Sequence, residues 1–256
     1  MRMRKKPNLQ PRMEKAGRVQ IINYKDYKGA WRESFPQYEK IEVELGCGKG
    51  RFTVETAKLK PNTLIVAVEK VPDAMVMAME RAVAENIENV RFIDCDVLEL
   101  GEIFAPGEID GIYINFCDPW PKNRDAKHRL TAPDFQRIYA SILNIGGKIW
   151  FKTDNLPLFN WSEEMFKGEN WSLSEITRDL HKDRPNGVMT DYEERFYAQG
   201  TKINRLVTEK TEKTKTAADG SYGRIHEASL LDENGNVLHG TGLPRIDYTP
   251  KAEEER

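Results

Sequence analysis

Short runs of apolar residues alternate with amphipathic segments between about residue 40 and residue 153. The amphipathic segments repeat apolar side chains at helical spacing, as at Met75, Met79 and Val83, which predicts helices. Alternating strands and helices predict an α/β fold with a mostly parallel sheet, in which the carboxyl ends of the strands share one rim. The predicted strands are Ile41–Leu45, Leu64–Val68, Val90–Ile93, Ile112–Phe116 and Lys148–Lys152.

The pattern changes after Asp154. Trp171–Ile176 and Phe196–Val207 both read as strands, and a polar loop over Lys182–Met189 lies between them. Because a loop without a helix does not make a parallel crossover, this pair predicts an antiparallel hairpin at one edge of the sheet.

The two ends of the chain differ in composition from this core. Residues 1–18 hold seven Lys and Arg against one acid, Glu14, which fits either a solvated leader or a nucleic-acid-binding arm. Residues 208–256 are rich in Lys, Thr and Glu, and Asn234-Gly235 between apolar pairs suggests a small hairpin. We therefore expect a basic arm (1–18), one domain (19–207) and a flexible or loosely docked tail (208–256).

Composition limits the classes of function. With 31% charged residues and a net charge of −2 in 256 residues, only local clusters can argue for nucleic acid. Cys47, Cys95 and Cys117 form no CxxC pair and the four histidines lack ligand spacing, so we expect no metal site. Unpaired cysteines fit a reducing compartment. Without a signal-like or membrane-spanning apolar stretch, the expected location is the cytoplasm, with no membrane partner.

The most informative motif is Asp118-Pro119-Trp120-Pro121, directly after the predicted strand Ile112–Phe116. Proline fixes its own φ and keeps the residue before it out of helical geometry. The strand therefore ends in a stiff tip that carries an acid and an aromatic ring. Because ligands of open α/β sheets bind beyond the carboxyl ends of strands, this tip predicts a reaction site.

Glycines at alternate positions follow the first strand, at Gly46, Gly48 and Gly50. They allow positive φ and a close approach of the backbone to a ligand. Arg51 stands where the dinucleotide motif requires a third glycine, which weakens the case for NAD. Glu44 before the loop favours a cationic ligand such as S-adenosylmethionine, with a purely structural tight turn as the alternative.

Further acids end the next two strands. Glu69 lies where a carboxylate meets ribose hydroxyls in nucleotide-binding α/β folds. Asp94 and Asp96 follow the third strand, and we predict that Asp96 faces an adenine amino group. Each acid alone is more typical of a helix cap or a solvated loop. Three such strand ends in succession predict a cofactor cleft.

Basic residues follow the Asp-Pro-Trp-Pro tip, with four fixed cations between Lys122 and Arg129. They are suited to track a phosphate backbone, with a charged surface loop as the alternative. Asp154 ends the fifth strand on the same rim and is either a site residue or a helix cap. Residues 190–193 (Thr-Asp-Tyr-Glu) fit recognition of a purine edge or ordinary turn chemistry.

Together these motifs closely resemble the bacterial tRNA (guanine-N7-)-methyltransferase family, over about residues 1–207. Asp118-Pro119-Trp120-Pro121 and the segment 190–193 are far more specific than the glycine loop. The resemblance implies a Rossmann-like class I methyltransferase fold: a seven-stranded, mostly parallel sheet with helices on both faces and an antiparallel last strand. It implies tRNA as partner, the guanine of the variable loop as target, and a monomer or homodimer.

The resemblance also implies a role for each site residue. The cofactor S-adenosylmethionine would be bound by Glu44, Gly46, Gly48, Gly50, Glu69, Asp96 and Asp118. The substrate guanine would be bound by Lys122, Asp154, Thr190, Asp191, Tyr192 and Glu193. The RNA would be contacted by Arg124, Asp125, Ala126, Lys127, His128 and Arg129.

The chemistry of guanine N7 suggests a mechanism. N7 carries a lone pair and no proton, so its methylation needs no general base. A carboxylate near the guanine N1–H and amino group favours the positive charge that develops, and we assign this catalytic role to Asp118, with Asp154 as the second candidate. The alternatives are an amino-methyltransferase acting on another base, a non-catalytic RNA-binding module with a vestigial fold, and, least favoured, a dehydrogenase.

Overall fold

Seven strands form a single mixed sheet in the computed structural model, which describes residues 7–184 and 187–217. The strands are β1 Lys40–Leu45, β2 Thr63–Val68, β3 Val90–Ile93, β4 Ile109–Asn115, β5 Leu143–Thr153, β6 Ser172–Thr177 and β7 Asn204–Glu209. Their order is β3-β2-β1-β4-β5-β7-β6. Strands β1 to β5 pair in parallel, whereas β7 runs antiparallel to both β5 and β6. The predicted class of fold is confirmed.

Helices cover both faces of the sheet. They are α1 Leu9–Lys15, α2 Trp31–Ser34, α3 Arg51–Leu59, α4 Pro72–Ala84, α5 Leu100–Ile103, α6 Pro133–Ile142, α7 Leu156–Gly168, α8 Leu180–Asp183 and α9 Asp191–Tyr197. Within the described ranges, no helix is both long and apolar enough to cross a membrane.

Strand β2 shows how the sequence builds two cores. Its six residues are all buried, as expected for a central parallel strand covered on both faces. Leu64 and Val66 pack into the core formed with α5, α6 and α7, whereas Ile65 and Ala67 pack into the core formed with α3 and α4. The alternation of side chains along a strand therefore fixes which helices lie on which face.

The pair of strands β6 and β7 at the sheet edge confirms one prediction and corrects another. Strands β6 and β7 are antiparallel neighbours at the sheet edge, as predicted. The segment between them contains α8 and α9, so the prediction of a loop without a helix is wrong. Phe196, predicted to lie in a strand, belongs to α9. A chain that passes through two short helices can still return antiparallel to its neighbour.

The described parts of both chain ends contact the domain. In the basic arm, α1 packs on α4, where the Nε of Arg12 donates to Oε1 of Glu80 at 2.7 Å and Met13 is buried. At the other end, β7 runs past the expected boundary at residue 207, and the backbone N–H of Ala217 donates to Ser141 Oγ at 3.2 Å. The suggested hairpin around Asn234-Gly235 lies outside the described residues.

Candidate active site

A cavity of about 340 Å³ opens at the carboxyl rim of β1 to β4. Its wall includes Gly46, Glu69, Asp96 and Asp118. These four residues follow four different strands, and parallel pairing brings them together. The structure thus gathers the predicted glycine loop, two predicted cofactor acids and the predicted catalytic acid around one space.

The glycine loop uses the backbone conformations that glycine permits. Gly46, Gly48 and Gly50 have φ of 72°, 56° and 77°, in the left-handed region that side chains disfavour. A Cβ at position 50 would lie 2.5 Å from the Cβ of Ala78. The missing side chain therefore lets the start of α3 approach α4 closely.

Glu69 is fixed by the same loop. Its Oε2 accepts a hydrogen bond from the Gly48 backbone N–H, and its Oε1 accepts one from Val71 N–H, both at 2.9 Å. Each carboxylate oxygen has further lone pairs, which leaves capacity for hydroxyl donors from a ligand. Asp96 also lies on the cavity wall, and its Oδ1 accepts a hydrogen bond from Leu98 N–H at 3.0 Å, which caps a short 3-10 helix.

Glu44 lies beneath the loop instead of on the cavity wall. It is buried, and it accepts hydrogen bonds from Thr53 Oγ1 and from Asn115 Nδ2. Burial raises the pKa of Glu44 to about 7, against the opposing effect of these two hydrogen bonds. The structure therefore does not present Glu44 to a ligand directly; any effect on the cofactor acts through the loop and through its charge.

The Asp-Pro-Trp-Pro tip is stiff and faces outward. Asp118 is exposed, and Trp120 is 39% exposed. Phe116 and Trp120 have φ of 54° and 43°, an uncommon and costly conformation for bulky residues. Such a backbone persists only when the surroundings hold it in place.

Arg129 stabilises the tip through hydrogen bonds to its backbone carbonyls. Its Nη2 donates to the Trp120 carbonyl at 2.8 Å and its Nε donates to the Pro119 carbonyl at 3.1 Å. The guanidinium lies 4.4 Å from the ring centroid of Trp161, and burial lowers the pKa of Arg129 to about 10. Arg129 is therefore built into the tip.

This placement divides the predicted RNA-contacting segment. Lys122 is exposed beside the tip, and so are three of the six residues predicted to contact RNA, Arg124, Lys127 and His128, whereas Asp125 is half-buried. Ala126 and Arg129 are buried and do not expose their side chains in this structure; RNA contact by the segment stays a prediction. The sequence pattern did not separate them because the 3-10 helix over Asn123–His128 turns only some of its side chains outward.

The segment 190–193 begins α9 and lies next to the fifth strand end. Tyr192 Oη donates to Asp154 Oδ2 at 3.0 Å, and its ring centroid is 5.2 Å from that of Phe116. Burial, together with the Asp154 charge, raises the pKa of Tyr192 to about 12. Asp154 and Tyr192 are thus brought together on the rim, beside the base of the tip.

Glu193 does not face the rim. It is fully buried, its Oε2 lies 2.6 Å from Lys152 Nζ, and its Oε1 lies 2.9 Å from His181 Nε2. In this structure the Glu193 carboxylate anchors α9, and its contact with a substrate stays a prediction. The spacing Thr190-x-x-Glu193 is a capping box, and this signal could have identified the helix start. Asp191 pairs with Arg81 on α4 at 3.3 Å.

Asn115, the last residue of β4, was not identified from the sequence. It lines the cavity, is buried, and donates to Glu44 Oε1 at 3.2 Å. No motif marks it; only the register of β4 beside β1 places it there. Within the described ranges, no group of three or more His, Cys, Asp or Glu side chains is arranged to hold a metal ion.

Comparison with known proteins gives consistent results. A family profile described as "Putative methyltransferase" matches residues 38–206. The tRNA (guanine-N(7)-)-methyltransferase of Clostridium tetani is 43% identical over 208 residues, which cover 81% of this chain and 98% of that protein. The tRNA (guanine-N(7)-)-methyltransferase of Listeria monocytogenes is 40% identical over 207 residues, with coverage of 80% and 97%.

Solved structures support the fold. The 16S rRNA methyltransferase KamB superposes with a TM-score of 0.56 at 13% identity, covering 72% of this chain and 93% of that chain. A 16S rRNA (adenine(1408)-N(1))-methyltransferase from Catenulisporales acidiphilia, solved with its cosubstrate SAM, gives a TM-score of 0.53 at 15% identity, covering 72% and 91%. At these identities the similarity shows a common fold only.

Proposed function

The chain belongs to the bacterial tRNA (guanine-N7-)-methyltransferase family, and on that premise we propose that it methylates N7 of a guanine in the variable loop of tRNA, with S-adenosylmethionine as methyl donor. One observation carries the proposal: Gly46 of the glycine loop and Asp118 of the rigid tip line the same cavity. A methyl donor in that cavity and a base at the tip would meet.

The residues around the cavity fit S-adenosylmethionine. When bound, this cofactor supplies a methyl group on a positively charged sulfur. The carboxylates of Glu69, Asp96 and Asp118 line the cavity, with Lys70 as the cation among its walls, and this balance favours a cationic ligand. Glu69, already oriented by two backbone N–H groups, is suited to accept hydrogen bonds from ribose hydroxyls.

The tip supplies the catalytic group. Because guanine N7 has a free lone pair, the protein has no proton to remove, and its contribution is positioning and electrostatics. Asp118 is exposed at the tip and offers a carboxylate to the guanine N1–H and amino group. That carboxylate stabilises the positive charge that develops on the purine. Arg129 keeps the tip preorganised through the Pro119 and Trp120 carbonyls.

The rest of the rim is proposed to hold the RNA. Lys122, Arg124 and Lys127 are exposed beside the tip and are placed to contact phosphates. Asp154 and Tyr192 lie beside Phe116 at the base of the tip, where they are suited to bind the edge of the purine. Thr190 and Asp191 contribute by fixing the start of α9, through the cap and through Arg81.

The direct test is transfer of labelled methyl groups from S-adenosylmethionine to bulk tRNA, followed by cleavage at alkali-labile 7-methylguanosine. We expect Asp118→Ala to lower turnover about a hundredfold, as expected for loss of a preorganised electrostatic contact. Glu164→Ala, which removes a 60% exposed acid in the second half of α7, is the control and should retain full turnover.

Two results would contradict the proposal. Near-normal turnover in a folded Asp118→Ala protein would remove this residue from the mechanism. Label found on adenine or cytosine would favour an amino-methyltransferase instead.

A further inference from the structure

A second cavity, of about 390 Å³, lies on the face of the sheet that carries α3. Residues of α3, β4, β5, β7 and α8 form its walls, and Asn115 belongs to the walls of both cavities. The space is therefore adjacent to the candidate active site but is built almost entirely from other residues. None of the residues assigned above to cofactor or substrate lines it.

Two aromatic rings, stacked on each other, form the floor of this cavity. Tyr113 on β4 and Trp150 on β5 are register partners, and their rings stack with centroids 4.7 Å apart and planes 19° apart. Gly111 makes room for the indole, since a Cβ there would lie 2.5 Å from Trp150 Cζ3. Trp150 is half-buried. Tyr113 covers one face of the Trp150 ring, and Lys60 Nζ lies 5.0 Å from the centroid of that ring. The part of the indole that stays open to the cavity is suited to stack a planar ring.

The walls of the cavity are cationic. They include Lys60, Lys152, Arg184 and Arg205, and no carboxylate is among the lining residues. Lys60 is paired with Glu42 at 2.8 Å, and Lys152 is paired with Glu193 at 2.6 Å. The charge of each of these two lysines is therefore balanced by one carboxylate.

The charges of the two arginines are not fully balanced by carboxylates. Arg184 and Arg205 share a single carboxylate, Glu175, at 3.4 and 3.2 Å, and it is the only ion-pair partner of either guanidinium within residues 7–184 and 187–217. Glu175 lies in a bulge of β6 with φ of 51°, so the backbone is bent where the carboxylate meets both arginines. One positive charge remains in excess. A guanidinium with spare donors is well suited to bind a phosphate.

We propose that this second cavity binds a nucleotide, with the base stacked on the Trp150 floor and the phosphate at Arg184 and Arg205. Its volume falls within the range of roughly 300–1,000 Å³ that is usual for small-ligand sites. The nucleotide is either free or part of the RNA chain next to the target guanosine. The RNA source rests on the proposed function; the existence of the site does not.

The test of the site is calorimetric titration of the full-length protein with cytidine 5′-monophosphate. This probe is chosen because it is neither the target base nor an adenine nucleotide. Loss of one charge-assisted contact in Arg184→Ala should weaken binding about tenfold. The control is Arg178→Ala, because the Arg178 side chain is 50% exposed and that of Arg184 is 56% exposed, and Arg178 does not line the cavity. It should bind as the wild type does.

A second pair of variants tests the aromatic floor. Trp150→Leu should weaken binding about tenfold, as expected for loss of base stacking, whereas Trp150→Phe should retain most of it. Thermal unfolding of both variants verifies that the fold is kept.

The source of the nucleotide follows from the kinetics of tRNA methylation. A KM for tRNA that rises severalfold in Arg184→Ala, with kcat unchanged and with Arg178→Ala normal, assigns the site to the RNA chain. Weakened cytidine 5′-monophosphate binding with a normal KM assigns it to a free nucleotide. If the wild type does not bind the probe and the two arginine variants have equal KM, the proposal is wrong. If no methyl transfer to tRNA occurs, the proposed function fails. The titration with cytidine 5′-monophosphate still tests whether the second cavity binds a nucleotide.

Discussion

Arg129 and Lys127 are two residues apart in one basic segment, yet their side chains have different structural roles. Lys127 is exposed and available to a phosphate. Arg129 is fully buried beneath the tip, donates to two backbone carbonyls and stacks on Trp161. The sequence predicted both as RNA contacts because their charge is the same. Burial depends on Trp161, which lies in a distant helix, and no local pattern reports it.

Glu44 permits a test of pH dependence at the level of one side chain. Burial raises the pKa of Glu44 in the folded protein to about 7, above its ordinary value of 4.5. Above pH 7 the folded protein therefore bears the full cost of a buried carboxylate. As the pH falls from 7 towards 4.5, protonation of the folded state removes that cost.

Glu44→Gln should therefore be more stable than the wild type by about 1–2 kcal/mol at pH 8, and this advantage should shrink as the pH falls to 5. Urea unfolding of both proteins at pH 8, 6.5 and 5 measures the difference. An advantage that does not change with pH would show that Glu44 is ionised throughout this range.

At the scale of elements, the strands were the most predictable part of the structure. Each of the five runs from Ile41 to Lys152 overlaps a strand, because their residues are apolar and most are buried. Helix α9 was missed because its stability comes from partners elsewhere in the chain. Arg81 and Lys152 pair with its acids, and only the capping box is local.

The buried pair of Lys152 and Glu193 should dominate the anchoring of α9. Lys152→Met leaves a fully buried carboxylate without its main partner and should lower the free energy of unfolding by about 3–5 kcal/mol. The double variant Lys152→Met/Glu193→Leu should be less destabilised than Lys152→Met alone, because it removes the carboxylate that Lys152→Met leaves without its main partner. Arg51→Ala, which removes the more exposed pair with Glu194, should cost less than about 1 kcal/mol. Urea unfolding measures all three, and equal effects from the buried and exposed pairs would contradict this account.

At the scale of the whole molecule, the topology accounts for the candidate site. The sequence predicted that the glycine loop after β1 and the acids after β2, β3 and β4 would share a rim, because parallel strands end on the same side. It did not predict the second cavity. The walls of that cavity come from residues between Phe52 and Arg205, and only the finished sheet order brings them together.

Because the net charge is −2, the affinity for RNA depends on where individual cationic side chains lie. We expect the logarithm of the tRNA affinity to fall linearly with the logarithm of salt concentration, and Arg124→Ala and Lys127→Ala should each reduce the slope by about one. Lys167→Ala removes an exposed lysine on α7 that pairs with two glutamates and should leave the slope unchanged. Filter binding over a range of salt concentrations provides the measurement. Slopes that match the wild type in the first two variants would place the RNA elsewhere.

The contact of Gly50 with Ala78 has a consequence for protein engineering. A methyl group at position 50 would overlap α4, and the φ of 77° disfavours any side chain there even if residue 78 were reduced to glycine. Since α4 also carries Glu80, the partner of Arg12, displacing that helix would disturb the N-terminal contacts as well. A library that randomises positions 50 and 78 together should therefore return only glycine at the first site. Attempts to alter cofactor preference should begin from the opposite wall of the cleft.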